Sequence, residues 1–118
     1  MRWTVLFQHD FAAEVEGFST AVRVELVAMV RHLEQFGPLA KRPYVDTLKR
    51  SKITNLKEFR FTADGGVWRV AFAFDAKRQS IVLAAGNKAG VSSATFYKRL
   101  ISVAEKRMAK YEAAQKDE

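Results

Sequence analysis

Leu56-Lys57-Glu58-Phe59-Arg60-Phe61-Thr62-Ala63-Asp64-Gly65-Gly66-Val67-Trp68-Arg69-Val70-Ala71-Phe72-Ala73-Phe74 reads as two strands joined by a tight turn. Asp-Gly between two strand-like runs is a strong hairpin signal, because the turn needs residues that tolerate a left-handed backbone. Centring the turn on Asp64-Gly65 pairs Phe61 with Trp68, Arg60 with Arg69, Phe59 with Val70 and Glu58 with Ala71. Side chains alternate along each strand, so Phe59, Phe61, Trp68, Val70, Phe72 and Phe74 make one apolar face. Arg60 and Arg69 then face the other way, directly opposite each other. Like charges so placed cost up to about 1 kcal/mol, and a surface selected for stability alone would avoid them.

Outward from the hairpin, Ser80–Gly86 supplies a third strand after a turn through Asp75–Gln79. Parity assigns Ile81, Leu83 and Ala85 to the apolar face, and Val82, Ala84, Gly86 and Lys88 to the arginine side. Upstream, Trp3, Val5 and Phe7 alternate with polar or outward positions in a short first strand that ends where Asp10 can cap a helix. Phe11, Val15 and Phe18 fall at helical spacing. From Ser19 a second helix carries Val22, Leu26, Val30 and Leu33 as one stripe and stops at Gly37-Pro38. Residues 38–54 have no clean period and two prolines, which predicts a loop or irregular crossover. Beyond Val91, the spacing of Phe96, Leu100, Val103, Ala104, Arg107, Met108 and Tyr111 predicts a last helix, with residues from about 112 to 118 as a fraying tail. The order β-α-α-β-β-β-α predicts one α+β domain over residues 1–118, a small and mainly antiparallel sheet with helices packed on one face and the other face partly free.

With 118 residues, 48% of them hydrophobic, the chain is long enough for one core and too short for a second domain. The absence of cysteine excludes disulfide scaffolds, zinc fingers, iron–sulfur sites and thiol nucleophiles. The apolar run at the N-terminus is far shorter than a signal sequence or a membrane span, which predicts a soluble, cytoplasmic protein without membrane association. The net charge is +7, and it is unevenly placed: residues 1–40 hold three basic and five acidic side chains, whereas residues 41–60 hold seven and two. Lys41, Arg42, Lys49, Arg50, Lys52, Lys57 and Arg60 form this window, and they point to a polyanionic partner against the plainer reading of a solvated loop.

Arg60, Arg69 and Lys88, with small Ala71, Ala73 and Ala84 around them, make room for a ligand against the sheet. Guanidinium groups bind phosphate oxygens bidentately, so the pair fits a phosphodiester. The plainer alternative has these arginines in solvent, with Glu58 neutralising one of them through a diagonal contact. Other chemistries have less support. His9 and His32 lie in the acidic half and read as structural. No acidic and histidine cluster has metal-ligand spacing, and Ser51, Ser92 and Ser93 lack a His partner. Gly86-Asn87-Lys88-Ala89-Gly90 does not match a phosphate-binding loop of the GxxxxGK[ST] type. No metal and no small-molecule cofactor is expected.

Five segments together carry a resemblance. They are Arg42-Pro43-Tyr44-Val45-Asp46-Thr47-Leu48-Lys49-Arg50-Ser51, Asn55-Leu56-Lys57-Glu58-Phe59-Arg60, Trp68 through Arg78, Gly86-Asn87-Lys88-Ala89-Gly90 and Phe96-Tyr97. In order and spacing they resemble the phage-derived, HigB branch of the RelE toxin superfamily, over nearly the whole chain. The resemblance implies a RelE-like fold and a ribosome-dependent endoribonuclease that cuts mRNA by 2′-hydroxyl attack and so inhibits translation. It also implies a HigA-type helix-turn-helix antitoxin as partner, besides the ribosome and mRNA. By position it implies Lys57, Arg60, Arg69, Lys88 and Tyr97 as catalytic. Lys41, Arg42, Lys49, Arg50 and Lys52 are expected to contact RNA or the ribosome. The alternative reading is a non-catalytic RNA- or DNA-binding module with a basic sheet face.

Overall fold

The computed structural model describes residues 2–116. The chain runs β1 (Thr4–Phe7), α1 (His9–Val15), α2 (Thr20–Phe36), a 3-10 turn (Gly37–Leu39), β2 (Val45–Thr47), β3 (Lys57–Ala63), β4 (Gly66–Phe74), β5 (Gln79–Asn87) and α3 (Ser93–Lys116). The five strands form one sheet in the order β1-β5-β4-β3-β2. β1 is parallel to β5 and the other pairings are antiparallel.

The hairpin has the expected register, with Arg60 opposite Arg69, Phe61 opposite Trp68 and Ala63 opposite Gly66. Asp64 and Gly65 both take positive φ, 52° and 69°, as the favoured two-residue turn requires. The Ser19 hydroxyl donates to the Asp64 carboxylate, tying the turn to the start of α2, and Ser19 also caps that helix by accepting from the Val22 N–H. At its other end α2 stops at Gly37, whose φ is 49°. A Cβ there would lie 2.5 Å from the Trp3 indole, so both backbone and packing demand glycine.

Several expectations are corrected. Helices cover both faces of the sheet, not one. Phe11 of α1 and Val22, Leu26, Met29 and Leu33 of α2 pack with Phe59, Phe61, Val70, Phe72 and Val82. Phe96, Leu100, Ala104 and Met108 of α3 pack on the opposite side with Ala71, Ala73, Ile81, Leu83 and Ala84. A β-bulge explains the misassigned residues of β5: Ala71 pairs with Ala84 but Phe72 with Val82, leaving Leu83 as the extra residue. Parity therefore inverts below the bulge. Val82 joins the aromatic core, Ile81 and Leu83 lie under α3, and Ala85 stays on the aromatic side as expected.

The segment expected to be a loop contains the edge strand β2, which pairs Val45, Asp46 and Thr47 with Phe59, Glu58 and Lys57. Gln8, not Asp10, caps α1, its side-chain oxygen accepting from Asp10 N and Phe11 N. Met29 takes the buried place in the α2 stripe that Val30 was expected to fill. α3 continues through Lys116, past the start of the expected tail, and residues 117 and 118 lie outside the described residues.

Candidate nucleic-acid interface and active site

Glu58 sits on β3 between the two arginines that the hairpin places opposite each other, and it is buried, 1% exposed. A buried carboxylate needs partners. Its Oε1 accepts from Arg60 Nε at 2.7 Å and from the Tyr97 hydroxyl at 3.0 Å, and Arg69 Nε lies 3.6 Å away. The repulsion expected between Arg60 and Arg69 is thus relieved by one shared anion, serving both guanidinium groups where sequence reasoning allowed for one. Arg69 is held further by donating from Nη1 to the Trp68 carbonyl at 2.9 Å, and its buried Nε has no hydrogen-bond partner of its own. Arg60 also reaches Asp46 Oδ2 on β2 at 3.2 Å.

Tyr97 comes from the first turns of α3, where Phe96 points into the core and leaves the neighbouring phenol over the sheet. Burial, and then the Glu58 charge, push its pKa above the ordinary tyrosine value, so the phenol is protonated at neutral pH and can donate a proton. The hydrogen bond that Arg60 donates to Glu58 raises the Arg60 pKa, fixing that group as a permanent cation. Lys88 Nζ lies 5.6 Å from the Tyr97 ring centroid, a cation–π distance.

Glu58, Arg60 and Tyr97 of this cluster floor a groove of about 840 Å³ between α3 and the segment that follows β2, with Arg69 beside them under Glu58. Lys49 and Arg50 stand on one wall, Lys98 on the other and Arg60 on the floor, against the carboxylates of Glu58 and Glu105. Glu105 fastens the first wall to α3, its Oε2 accepting from the Lys52 backbone N–H at 2.7 Å and from the Ser51 hydroxyl at 3.0 Å. Those bonds hold its carboxyl below the usual value.

Of the ten expected residues, Arg60, Arg69, Tyr97 and Lys88 come together on the sheet, and Lys49, Arg50 and Lys52 belong to the groove wall. Arg42 lies at the β2 edge, sharing Asp46 Oδ2 with Arg60 through a 2.8 Å contact. Lys41 is exposed ahead of β2. Lys57 does not join the cluster: it alternates onto the Phe59 side of β3, where its Nζ donates to Thr47 Oγ1 at 2.7 Å. Glu58, Asp46 and Glu105 are the members that charge-based reasoning passed over as site residues, since it searched for cations. The signal available was the position of Glu58, two residues from Arg60 on the same face. Among the described residues, no group of three or more His, Cys, Asp or Glu could hold a metal ion, and no helix is long and apolar enough to cross a membrane.

Comparison with known proteins places this arrangement in a class of small α+β proteins. Residues 13–109 match the family described as phage-derived protein Gp49-like. Two Mycobacterium tuberculosis relatives are named as toxins. HigB2 is 50% identical over 68 residues, 56% of this chain but only 34% of its own length, and HigB3 is 36% identical over 106 residues, 90% of this chain and 81% of its own. In fold, the chain is similar to E. coli toxin RelE, solved as an arginine-to-alanine double mutant in the free state. The TM-score is 0.61 at 15% identity, over 91% of this chain and 98% of that one. The chain belongs to the Gp49-like family, has the HigB toxins as relatives, and has a RelE-like fold.

Proposed function

We propose that this protein is the toxin of a type II toxin–antitoxin module, acting in the cytoplasm as a ribosome-dependent endoribonuclease on mRNA. The observation that carries the reading is the cluster of Arg60, Glu58 and Tyr97 on the floor of a groove with cationic walls, with Arg69 drawn up to the same Glu58 carboxylate. In this reading an RNA strand lies in the groove, with backbone phosphates near Lys49, Arg50 and Lys98 and the scissile phosphate at the floor. The 2′-hydroxyl loses its proton to solvent as its oxygen attacks phosphorus, the bond from phosphorus to the 5′-oxygen breaks and a 2′,3′-cyclic phosphate forms. Arg60 and Arg69 stabilise the charge that develops on the phosphorane, and Tyr97 donates the proton that the leaving oxygen requires. Glu58 keeps both guanidinium groups aimed before substrate arrives, and Lys88 adds positive charge beside Tyr97.

No side chain on this floor is an obvious base at neutral pH. The ribosome therefore supplies much of the rate by fixing the 2′-oxygen in line, a contribution that well-oriented reactants can make worth several kcal/mol. The partner is a HigA-type antitoxin whose acidic surface associates quickly with the cationic one. The test is to add the purified protein to a translating bacterial extract and map mRNA ends, beside Arg69→Ala. Cleavage at translated codons by the wild type, reduced 100-fold or more in the folded variant, is the expected result. Intact mRNA with the wild type rejects the activity and leaves a non-catalytic RNA-binding module, whereas equal cleavage by both proteins rejects Arg69 as part of the site.

A further inference from the structure

Around the β2 edge from the groove lies an aromatic group that the cleavage chemistry does not use. Tyr44 immediately precedes β2 and is 53% exposed. Its ring stacks on Phe59, with centroids 6.2 Å apart and planes 14° from parallel, and the His32 ring meets it edge-on at 5.4 Å. One ring face is therefore supported by the core and the other is open. The backbone joins this platform to the site directly, because the Tyr44 carbonyl accepts from the Arg60 N–H at 2.8 Å. Arg42, two residues earlier, reaches the Asp46 oxygen that Arg60 also contacts. Lys57, two residues from Phe59 on the same face of β3, lies on the platform side of the sheet. Arg60, Arg42 and Lys57 thus lie along the edge strand between the groove floor and the ring, with Asp46 between the two arginines.

We propose that Tyr44 is a stacking platform for an unpaired RNA base just outside the groove, with Arg42 and Lys57 holding the adjoining phosphates. An exposed ring already braced from behind loses little freedom when a base stacks on it, and every base offers a face to stack, so the contact adds affinity without sequence preference. The flanking Lys57 favours nucleic acid over a protein partner, since lysine is depleted in protein–protein interfaces. The inference rests on RNA being the ligand of the groove, and it adds a second kind of contact, one insensitive to salt.

The test measures binding of a short fluorescent single-stranded RNA to the full-length protein across a salt series, without ribosomes. Tyr44→Ala is expected to weaken binding about tenfold at every salt concentration and leave the salt slope unchanged. Tyr44→Phe and Tyr44→Trp should bind at least as tightly as the wild type, whereas Arg42→Ala should reduce the slope. Photo-cross-linking with bromouridine-substituted RNA should label Tyr44 in the wild type. Unchanged affinity in Tyr44→Ala, while Arg50→Ala still weakens binding, overturns the platform and leaves the groove reading standing. No RNA binding by the wild type overturns the platform, while the ribosome-dependent cleavage assay decides the groove reading separately. Unchanged RNA affinity with loss of a co-purifying antitoxin in Tyr44→Ala reassigns the surface to a protein partner.

Discussion

The two faces of the sheet are built from residues of different size, and that difference creates the site. On the side covered by α1 and α2, the sheet presents Phe59, Phe61, Val70, Phe72 and Val82, with Trp68 and Phe74 at the margins. Rings meet edge-on or stacked throughout, including Phe7 with Phe11, Phe18 with Trp68, and Phe72 with Phe74. On the side covered by α3, the middle of the sheet presents Ala71, Ala73 and Ala84. Small residues let the helix sit close at one end. At the other end the sheet's side chains are Glu58, Arg60 and Arg69, which cannot be buried under apolar helix residues, and there the helix turns Tyr97, Lys98 and Glu105 toward a groove. One face is thus a dry core. The other is half core and half cavity, and the polar half stays ordered because its charges are shared out through a single buried carboxylate.

The largest effect that can break this comparison is on the dry face. Phe72 is fully buried, and Phe72→Ala removes a ring from the centre of the aromatic cluster, which costs about 3–5 kcal/mol. That is a large part of the about 5–15 kcal/mol available to a domain of this kind. Chemical denaturation should show the loss as a shift of the midpoint with little change in slope. A loss below about 1 kcal/mol would mean that the two faces do not differ in the way described.

On the polar half of the other face, Glu58→Gln keeps the shape of the side chain and removes its charge. Arg60 then keeps only its contact to Asp46, and the two guanidinium groups face each other without the anion they shared. Breaking a buried pair typically costs about 3–5 kcal/mol, but the Arg60 side chain is 35% exposed, so a smaller loss of about 2 kcal/mol is expected. RNA cleavage should fall as well, because the guanidinium groups lose the anion that aims them. Combining Glu58→Gln with Arg60→Gln sharpens the point: the double variant should be more stable than the sum of the single losses predicts. Simple additivity would show that Glu58 does not couple to Arg60.

How much of this was legible in the sequence follows the physics of each part. The hairpin register could be read because Asp64-Gly65 fixes the turn and alternation then fixes both faces. The bulge at Leu83 could not, because neither glycine nor proline marks it and the residues around it are apolar on both sides. Covering the second face with α3 was hidden for the same reason: Ala71, Ala73 and Ala84 look like space for a ligand in sequence and are in fact space for a helix. β2 was missed because three residues carry too little period to detect. Arg60 and Arg69 were legible as neighbours, whereas Tyr97 was placed with them only by resemblance, since no local pattern says where a helix forty residues later will set down its first turn. Lys57, too, was placed with the site only by resemblance, whereas strand parity puts it on the Phe59 side of β3.

The smallest effect concerns the wall of the groove. Glu105 ties residues 51 and 52 to α3 through two hydrogen bonds at the protein surface, so Glu105→Gln should cost less than about 1 kcal/mol of global stability. Its consequence is local. Because the folded carboxyl titrates below its ordinary value of 4.5, the tether is fully present above that pH and is lost as the pH falls through the lower folded value. Wild-type protein at neutral pH should therefore protect the backbone amide of Lys52, and acidification through the lowered pKa of the Glu105 carboxyl should release it. Glu105→Gln should have the released amide already at neutral pH, with little further change on acidification. Hydrogen exchange, corrected for the intrinsic dependence on pH, reads this amide directly, and the amides around Phe72 serve as the unresponsive reference from the dry face. Equal protection of Lys52 in both proteins at neutral pH would show that the groove wall is held by something other than Glu105, and the polar half of that face would then be more rigid than its charges alone account for.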